Sequence, residues 1–128
     1  MGMYTEILVK ATLRSDLSEN ILEVVDYMFG EGELPEVLPK HKLFRLPRWD
    51  SIGKCGSWYH HPTAVNSINK DYTAWEIFSR SDIKNYNGEI EAFFDWFKTI
   101  IDASEGRCIG YTWYEETSKP TLIIMTKE

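Results

Sequence analysis

The stretch TEILVKATLR, residues 5–14, decides how the chain begins to fold. Apolar and polar side chains alternate along it, and four apolar ones share one face: Ile7, Val9, Ala11 and Leu13. This period-two alternation predicts a β-strand with one buried face. The apolar spacing then becomes helical over residues 17–28, with Asp16 or Ser18 as the N-cap and Gly30 ending the helix at a positive φ. The chain therefore opens with a strand and an amphipathic helix.

The remaining segments continue this mixture of strands and helices. A long loop precedes a strand that includes residues 57–61, and YTAWEIFSRSDI forms the next strand. A second helix begins near Asn87 and is closed by Gly106, and RCIGYTWYEE and PTLIIMTK form the last two strands. The order β-α-loop-β-β-α-β-β predicts an α+β fold in which one antiparallel sheet carries two helices on one face. It is related to the ferredoxin-like βαββαβ order, and its length suits a single domain, residues 1–128.

The apolar faces of these elements predict one shared core. Each helix carries a single wide apolar stripe, so both helices can pack on the same side of the sheet. The expected core residues are Ile7, Val9 and Leu13 of the first strand, Ile21, Val25 and Met28 of the first helix, and Phe93, Phe97 and Ile100 of the second.

Composition narrows the class of protein. Two cysteines cannot build a disulfide framework, and no apolar run approaches the ~20 residues that a membrane span needs. The start shows no signal-peptide pattern, so we expect a cytoplasmic protein with reduced thiols and no membrane contact. Phosphate-binding, dinucleotide-binding and nucleophile-elbow motifs are all missing from the sequence, which predicts neither a cofactor nor an enzyme.

Residues 53–62, GKCGSWYHHP, raise the question of a metal site. Cys55, His60 and His61 are all potential ligands, but zinc sites usually take ligands in spaced pairs that one turn or helix face aims at one point. Neighbouring side chains on a strand point to opposite faces, so the two histidines would diverge unless Pro62 bends the chain. We therefore expect a strand over residues 57–61 and no bound metal, with these three residues as weak candidates.

Residues 40–54, here called the basic segment, differ in charge from the rest of the chain. Against Asp50 alone they hold five basic residues: Lys40, Lys42, Arg45, Arg48 and Lys54. The segment is therefore +4 in a chain of −6, and the remainder carries −10. We expect an ordered, exposed, positive ridge that contacts a partner. The alternative is that the segment pairs with the acidic body of its own domain or of a symmetry mate.

The second half of the chain carries a resemblance. KNYNGEIEAFFDWF, which begins at Lys84, followed by GYTWYEETSKPTLI, which begins at Gly110, resembles a family of small uncharacterised proteins of tailed bacteriophages and prophages. The resemblance is strongest over residues 70–126 and looser elsewhere. It implies an accessory protein in the cytosol of a bacterial host, and none of its motifs implies an activity.

These observations together predict a non-enzymatic phage or prophage accessory protein that binds a protein partner or self-associates. The expected contact residues are Lys40, Lys42, Arg45, Arg48 and Trp49 of the basic segment, with Trp58 and Trp113 of the sheet. The alternative is a single-stranded nucleic-acid-binding module, because Phe44 and Trp49 lie among the basic residues and could stack on bases. The net negative charge makes nucleic acid the less favoured partner.

Overall fold

A computed structural model describes residues 3–71 and 73–126 of the chain. Its elements are β1 (Thr5–Thr12), α1 (Glu19–Phe29), β2 (Val65–Asn69), β3 (Glu76–Ile83), α2 (Glu89–Ile100), β4 (Cys108–Tyr114) and β5 (Thr121–Ile124). Two short 3₁₀ helices, Lys42–Arg45 and Trp49–Ser51, lie in the basic segment. None of the helices within the described ranges is both long and apolar enough to cross a membrane. The predicted α+β class is confirmed.

One antiparallel sheet holds all five strands in the order β2-β3-β1-β4-β5. The central strand β1 pairs with β3 on one side and with β4 on the other. α1 connects β1 to β2, which lie on either side of β3, and α2 connects β3 to β4, which lie on either side of β1. The two β-α-β units therefore interleave, as they do in the ferredoxin-like order. β5 extends the sheet beyond β4.

The helix ends differ in detail from those predicted. Ser18 caps α1 by accepting a hydrogen bond from the backbone N–H of Ile21, but Gly30 ends the helix at a φ of −129° rather than a positive value. The N-cap of α2 is Gly88, at a φ of 78°, and not Asn87. This helix also ends at Ile100, and Gly106 lies in the turn before β4. The capping preferences of Ser18 and Asn87 therefore predict both helix starts to within one residue.

The core lies between the two helices and one face of the sheet. Eight of the nine predicted core residues are buried, and Ile21 is half-buried at the margin of the core. Phe29 of α1 meets Phe93 and Phe97 of α2 edge to face, which ties the helices together. Four residues of the basic segment also belong to this core: Leu43, Phe44, Trp49 and Ile52. The opposite side of the sheet, which points away from both helices, is called the open face below.

Candidate functional site

Residues 57–61 form a tight turn, so the predicted strand is wrong. The backbone N–H of Ser57 donates to the carbonyl of His61 at 2.8 Å, and this pair is an isolated bridge rather than part of a strand. The Ser57 hydroxyl accepts from the N–H of Tyr59 at 3.2 Å, which replaces sheet pairing with a local turn. A Cβ at Gly56 would lie 2.2 Å from the carbonyl oxygen of Pro62, so only glycine allows the two arms to meet. We call residues 57–61 the Trp58 turn.

The sheet register brings four polar residues together on the open face, beside this turn. Glu6 of β1 lies directly opposite Asp82 of β3, and Leu8, two residues further along β1, lies opposite both Arg80 and Tyr111. Residues two apart on a strand share a face, so Arg80 and Asp82 point the same way. Together with His60 from the Trp58 turn these form what we call the polar cluster: Glu6, His60, Arg80, Asp82 and Tyr111.

Short contacts join the members of the polar cluster. Arg80 Nη2 lies 2.7 Å from Asp82 Oδ2, and Arg80 Nε lies 3.4 Å from Glu6 Oε2. The Tyr111 hydroxyl donates to Glu6 Oε1 at 2.6 Å. Arg80 also donates to the carbonyl of His61 at 3.2 Å, and the N–H of Asp82 donates to the carbonyl of Cys55 at 2.8 Å. The cluster therefore fastens the loop around the Trp58 turn to the sheet.

Burial shifts the ionisation of two groups in the cluster. The Asp82 side chain is 0% exposed. Desolvation raises its pKa to about 6, although the electrostatic interactions with Arg80 and His60 act in the opposite direction. Burial, followed by the hydrogen bond to the Glu6 carboxylate, raises the pKa of the Tyr111 phenol to about 12. Three buried atoms of the cluster have no hydrogen-bond partner among residues 3–71 and 73–126: Asp82 Oδ1, His60 Nε2 and Arg80 Nε. Of these, Arg80 Nε has the Glu6 carboxylate as an ion-pair partner.

The three residues considered as metal ligands from the sequence do not come together. His60 is half-buried over the cluster, whereas His61 is exposed and its Nδ1 lies 2.8 Å from the Thr63 carbonyl. Cys55 is half-buried and reaches the cluster only through its backbone carbonyl. Within the described part of the chain, the side chains that could share an ion are those of Glu6, His60 and Asp82.

Glu6 and Asp82 were missed because a sequence does not show which strands are neighbours. The available signal was the alternation in SRSD, residues 79–82, which puts Arg80 and Asp82 on one face of β3.

The basic segment is less exposed than predicted. Trp49 is only 7% exposed and meets Phe44 edge to face, so it is part of the core rather than of the exposed surface. Arg48 is half-buried, donates to the Lys84 carbonyl at 2.9 Å and lies over the Tyr86 ring. Lys42 pairs with Asp95 of α2 at 3.7 Å. This contact is of the kind expected if the basic segment pairs with the acidic body of its own domain. Three of the five proposed contact residues in this segment are exposed: Lys40, Lys42 and Arg45.

The open face and the Trp58 turn expose more large apolar side chains than the basic segment does. Trp58 is 91% exposed and Tyr59 is 63% exposed at the tip of the turn. Trp113 is half-buried beside His60, with ring centroids 6.2 Å apart, and donates to the Thr117 carbonyl. The outer strands add three exposed residues: Val65 of β2, and Leu122 and Ile124 of β5.

Comparison with known proteins adds nothing to this description. No protein-family model matches the chain, no curated protein matches it, and no solved structure matches it. The resemblance to phage proteins therefore stays a prediction that rests on the sequence motifs quoted above.

Proposed function

We propose that the protein is a non-enzymatic binding protein that associates through its open face and the Trp58 turn. The observation that carries the proposal is Trp58, which is 91% exposed at the tip of a turn that the polar cluster fixes in place. Tryptophan and tyrosine are strongly enriched among the residues that dominate interface energies. A rigid turn also loses little conformational entropy when it binds, which favours recognition.

The polar cluster supports a role in positioning rather than in catalysis. Asp82 is fully buried, and the side chains of Glu6 and Arg80 are only 10% and 11% exposed. A substrate needs a concave site that it can enter, and these groups lie beneath the turn instead. Their contacts hold the turn against the sheet.

The occupant that we propose for the open face is a second copy of the chain. Two sheets can pack face to face, and symmetric dimers are the commonest oligomers. Arg80 neutralises much of the charge of Glu6 and Asp82, so two open faces can meet without strong repulsion between like charges. The exposed side chains Val65, Leu122 and Ile124 would become buried in this contact.

The setting of this association is also part of the proposal. The phage-like motifs of residues 84–97 and 110–123 support an accessory role in a phage or prophage, in the cytosol of the bacterial host. The single-stranded nucleic-acid alternative is less supported, because Phe44 and Trp49 pack in the core and leave the basic segment without stacking residues.

Two matched leucines provide the test. Leu122 on the open face is 60% exposed, and Leu34 in the loop after α1 is 58% exposed. Light scattering after size exclusion, over a series of concentrations, should give a dimer for the parent and for Leu34→Lys. Leu122→Lys should be a monomer with an unchanged circular-dichroism spectrum, because a lysine cannot be buried there without a partner.

A parent protein that stays monomeric at all concentrations would reject the second copy as the occupant. A pull-down with the parent and Leu122→Lys as baits, with and without nuclease, would then separate a different protein partner from nucleic acid.

A further inference from the structure

Three side chains of the polar cluster form a site that the contacts within the chain leave incomplete. Glu6, His60 and Asp82 each offer one ligand atom, and these three atoms lie within 4.8 Å of one another. Asp82 Oδ1 and His60 Nε2 are buried and have no hydrogen-bond partner in the described ranges 3–71 and 73–126. Buried polar atoms nearly always have a partner, so this pair indicates a missing ligand. We propose that Glu6, His60 and Asp82 bind one divalent transition-metal ion, with zinc as the first candidate.

The types of the three side chains match this ion. Imidazole nitrogen and carboxylate oxygen bind zinc at about 2.0–2.2 Å, in a tetrahedral arrangement whose ligand atoms are roughly 3.4 Å apart. Two of these atoms that lie at the 4.8 Å limit would therefore approach by about 1.4 Å on binding. Glu6 and Asp82 are fixed on adjacent strands, whereas His60 lies on a loop that can make this adjustment. Calcium takes six to eight oxygen ligands, which three such groups do not supply.

The surrounding contacts suit a metal centre as well. Arg80 holds Asp82 Oδ2, and Tyr111 donates to Glu6 Oε1, so each carboxylate is oriented by a second group. Metal-binding carboxylates are commonly held in this way by outer hydrogen bonds. Two carboxylates against one guanidinium leave the cluster with a formal charge of −1 when His60 is neutral, and a divalent cation is attracted to it.

A bound ion would give the cluster a structural task. It would join His60 of the turn directly to β1 and β3, and Trp58 lies only two residues before His60. The metal would therefore fix the turn that carries the most exposed aromatic side chain. This inference goes beyond the proposed association and does not depend on the oligomeric state.

The test is a metal titration of the full chain, purified without a metal-affinity column and treated with EDTA. Calorimetry with Zn²⁺ should give one ion per chain, and Co²⁺ should give the visible absorption of a tetrahedral site. Asp82→Asn and Glu6→Gln should each weaken binding by about 100-fold. Removing an outer contact of a metal ligand already costs up to about 100-fold, and each of these variants changes a direct ligand.

His60→Ala and His61→Ala are the decisive matched pair. They remove neighbouring imidazoles, but only His60 faces the cluster, and neither residue lies in the core. His60→Ala should abolish binding and also the metal-dependent rise in melting temperature, while His61→Ala should change neither. A parent that binds no ion, or binding that His61→Ala removes and His60→Ala leaves intact, would overturn the proposal. Binding that survives both Asp82→Asn and Glu6→Gln would do the same.

Discussion

The basic segment and the Trp58 turn are neighbours in the chain, and both were predicted to present a tryptophan to a partner. In the basic segment Trp49 is 7% exposed, whereas in the turn Trp58 is 91% exposed. The basic segment folds inward on its apolar residues, and the turn is held from below by polar groups. The difference indicates that a tryptophan in a loop stays exposed where polar contacts anchor the loop, and is buried where the loop carries other large apolar side chains.

The cause lies in the residues around each tryptophan. Leu43, Phe44 and Ile52 lie within six residues of Trp49, and together they cover the side of the core next to α2 and Tyr27. Burying such side chains is worth about 1.5–3 kcal/mol each, far more than keeping a surface ion pair. The residues around Trp58 are polar or carry a polar atom, and their hydrogen bonds close the turn without burying the indole. Hydrophobic burial therefore shapes the first segment, and hydrogen bonding shapes the second.

Trp49→Ala is expected to have the largest effect on stability. The indole packs against Phe44 and Tyr27, and truncation of a buried aromatic side chain costs about 3–5 kcal/mol. Chemical denaturation followed by circular dichroism measures this loss. A loss below about 1 kcal/mol would show that Trp49 adds little to the core, and that the basic segment is the exposed ridge predicted from the sequence.

Arg80→Met tests whether charge holds the second segment as burial holds the first. The substitution keeps much of the side-chain length but leaves the carboxylates of Glu6 and Asp82 without their cation, which should cost about 3 kcal/mol. Lys10→Met is the control, since Lys10 lies on the open face but is exposed. Equal unfolding free energies for the two variants would mean that the polar cluster contributes little to stability.

The sequence predicted the parts of the molecule that periodicity determines. Alternation in TEILVKATLR located β1, and the apolar stripes gave both helices and nearly all of the predicted core. It could not predict the polar cluster, because Glu6 and Asp82 are 76 residues apart and meet only through strand pairing. It also mistook the Trp58 turn for a strand, because aromatic residues favour strands in general and the local hydrogen bond of Ser57 overrides that preference.

Gly53→Ala should have the next largest effect, at the junction of the two segments. Gly53 has a φ of 89°, and a Cβ there would lie 2.7 Å from the Met28 carbonyl oxygen and from the Phe29 ring. Strain and crowding together should cost about 2–3 kcal/mol. Gly106 has nearly the same φ, 90°, with no atom within 4 Å of its added Cβ, so Gly106→Ala should cost only about 1 kcal/mol. Denaturation midpoints of the two variants measure the difference, and equal midpoints would mean that no crowding exists at Gly53.

Arg48→Glu and Arg45→Glu divide the basic segment into its anchored and its free parts. Arg48 donates to the Lys84 carbonyl and lies over Tyr86, so its reversal should cost about 1–2 kcal/mol. Arg45 is exposed, and its reversal should change stability by no more than about 0.5 kcal/mol. Melting curves give the stabilities, and sizing of the Arg45→Glu protein tests the original ridge hypothesis. Loss of association in that variant would move the contact surface from the open face to the basic segment.

Trp58→Ala is expected to have the smallest effect on stability and the clearest effect on association. The indole is 91% exposed, so its removal creates no cavity and leaves the hydrogen bond between Ser57 and His61 intact. The unfolding free energy should change by no more than about 0.5 kcal/mol, which is the usual range for surface substitutions. Association should nevertheless weaken by at least tenfold, since losing a tryptophan at the centre of an interface commonly costs 2 kcal/mol or more.

Tyr86→Ala, which removes another exposed aromatic ring from the turn before α2, is the control for sizing and sedimentation. If Trp58→Ala associates like the parent while Tyr86→Ala does not, the exposed tryptophan is not a contact residue. The difference between the two tryptophans would then describe only how the chain folds, and the partner surface would have to lie near Tyr86.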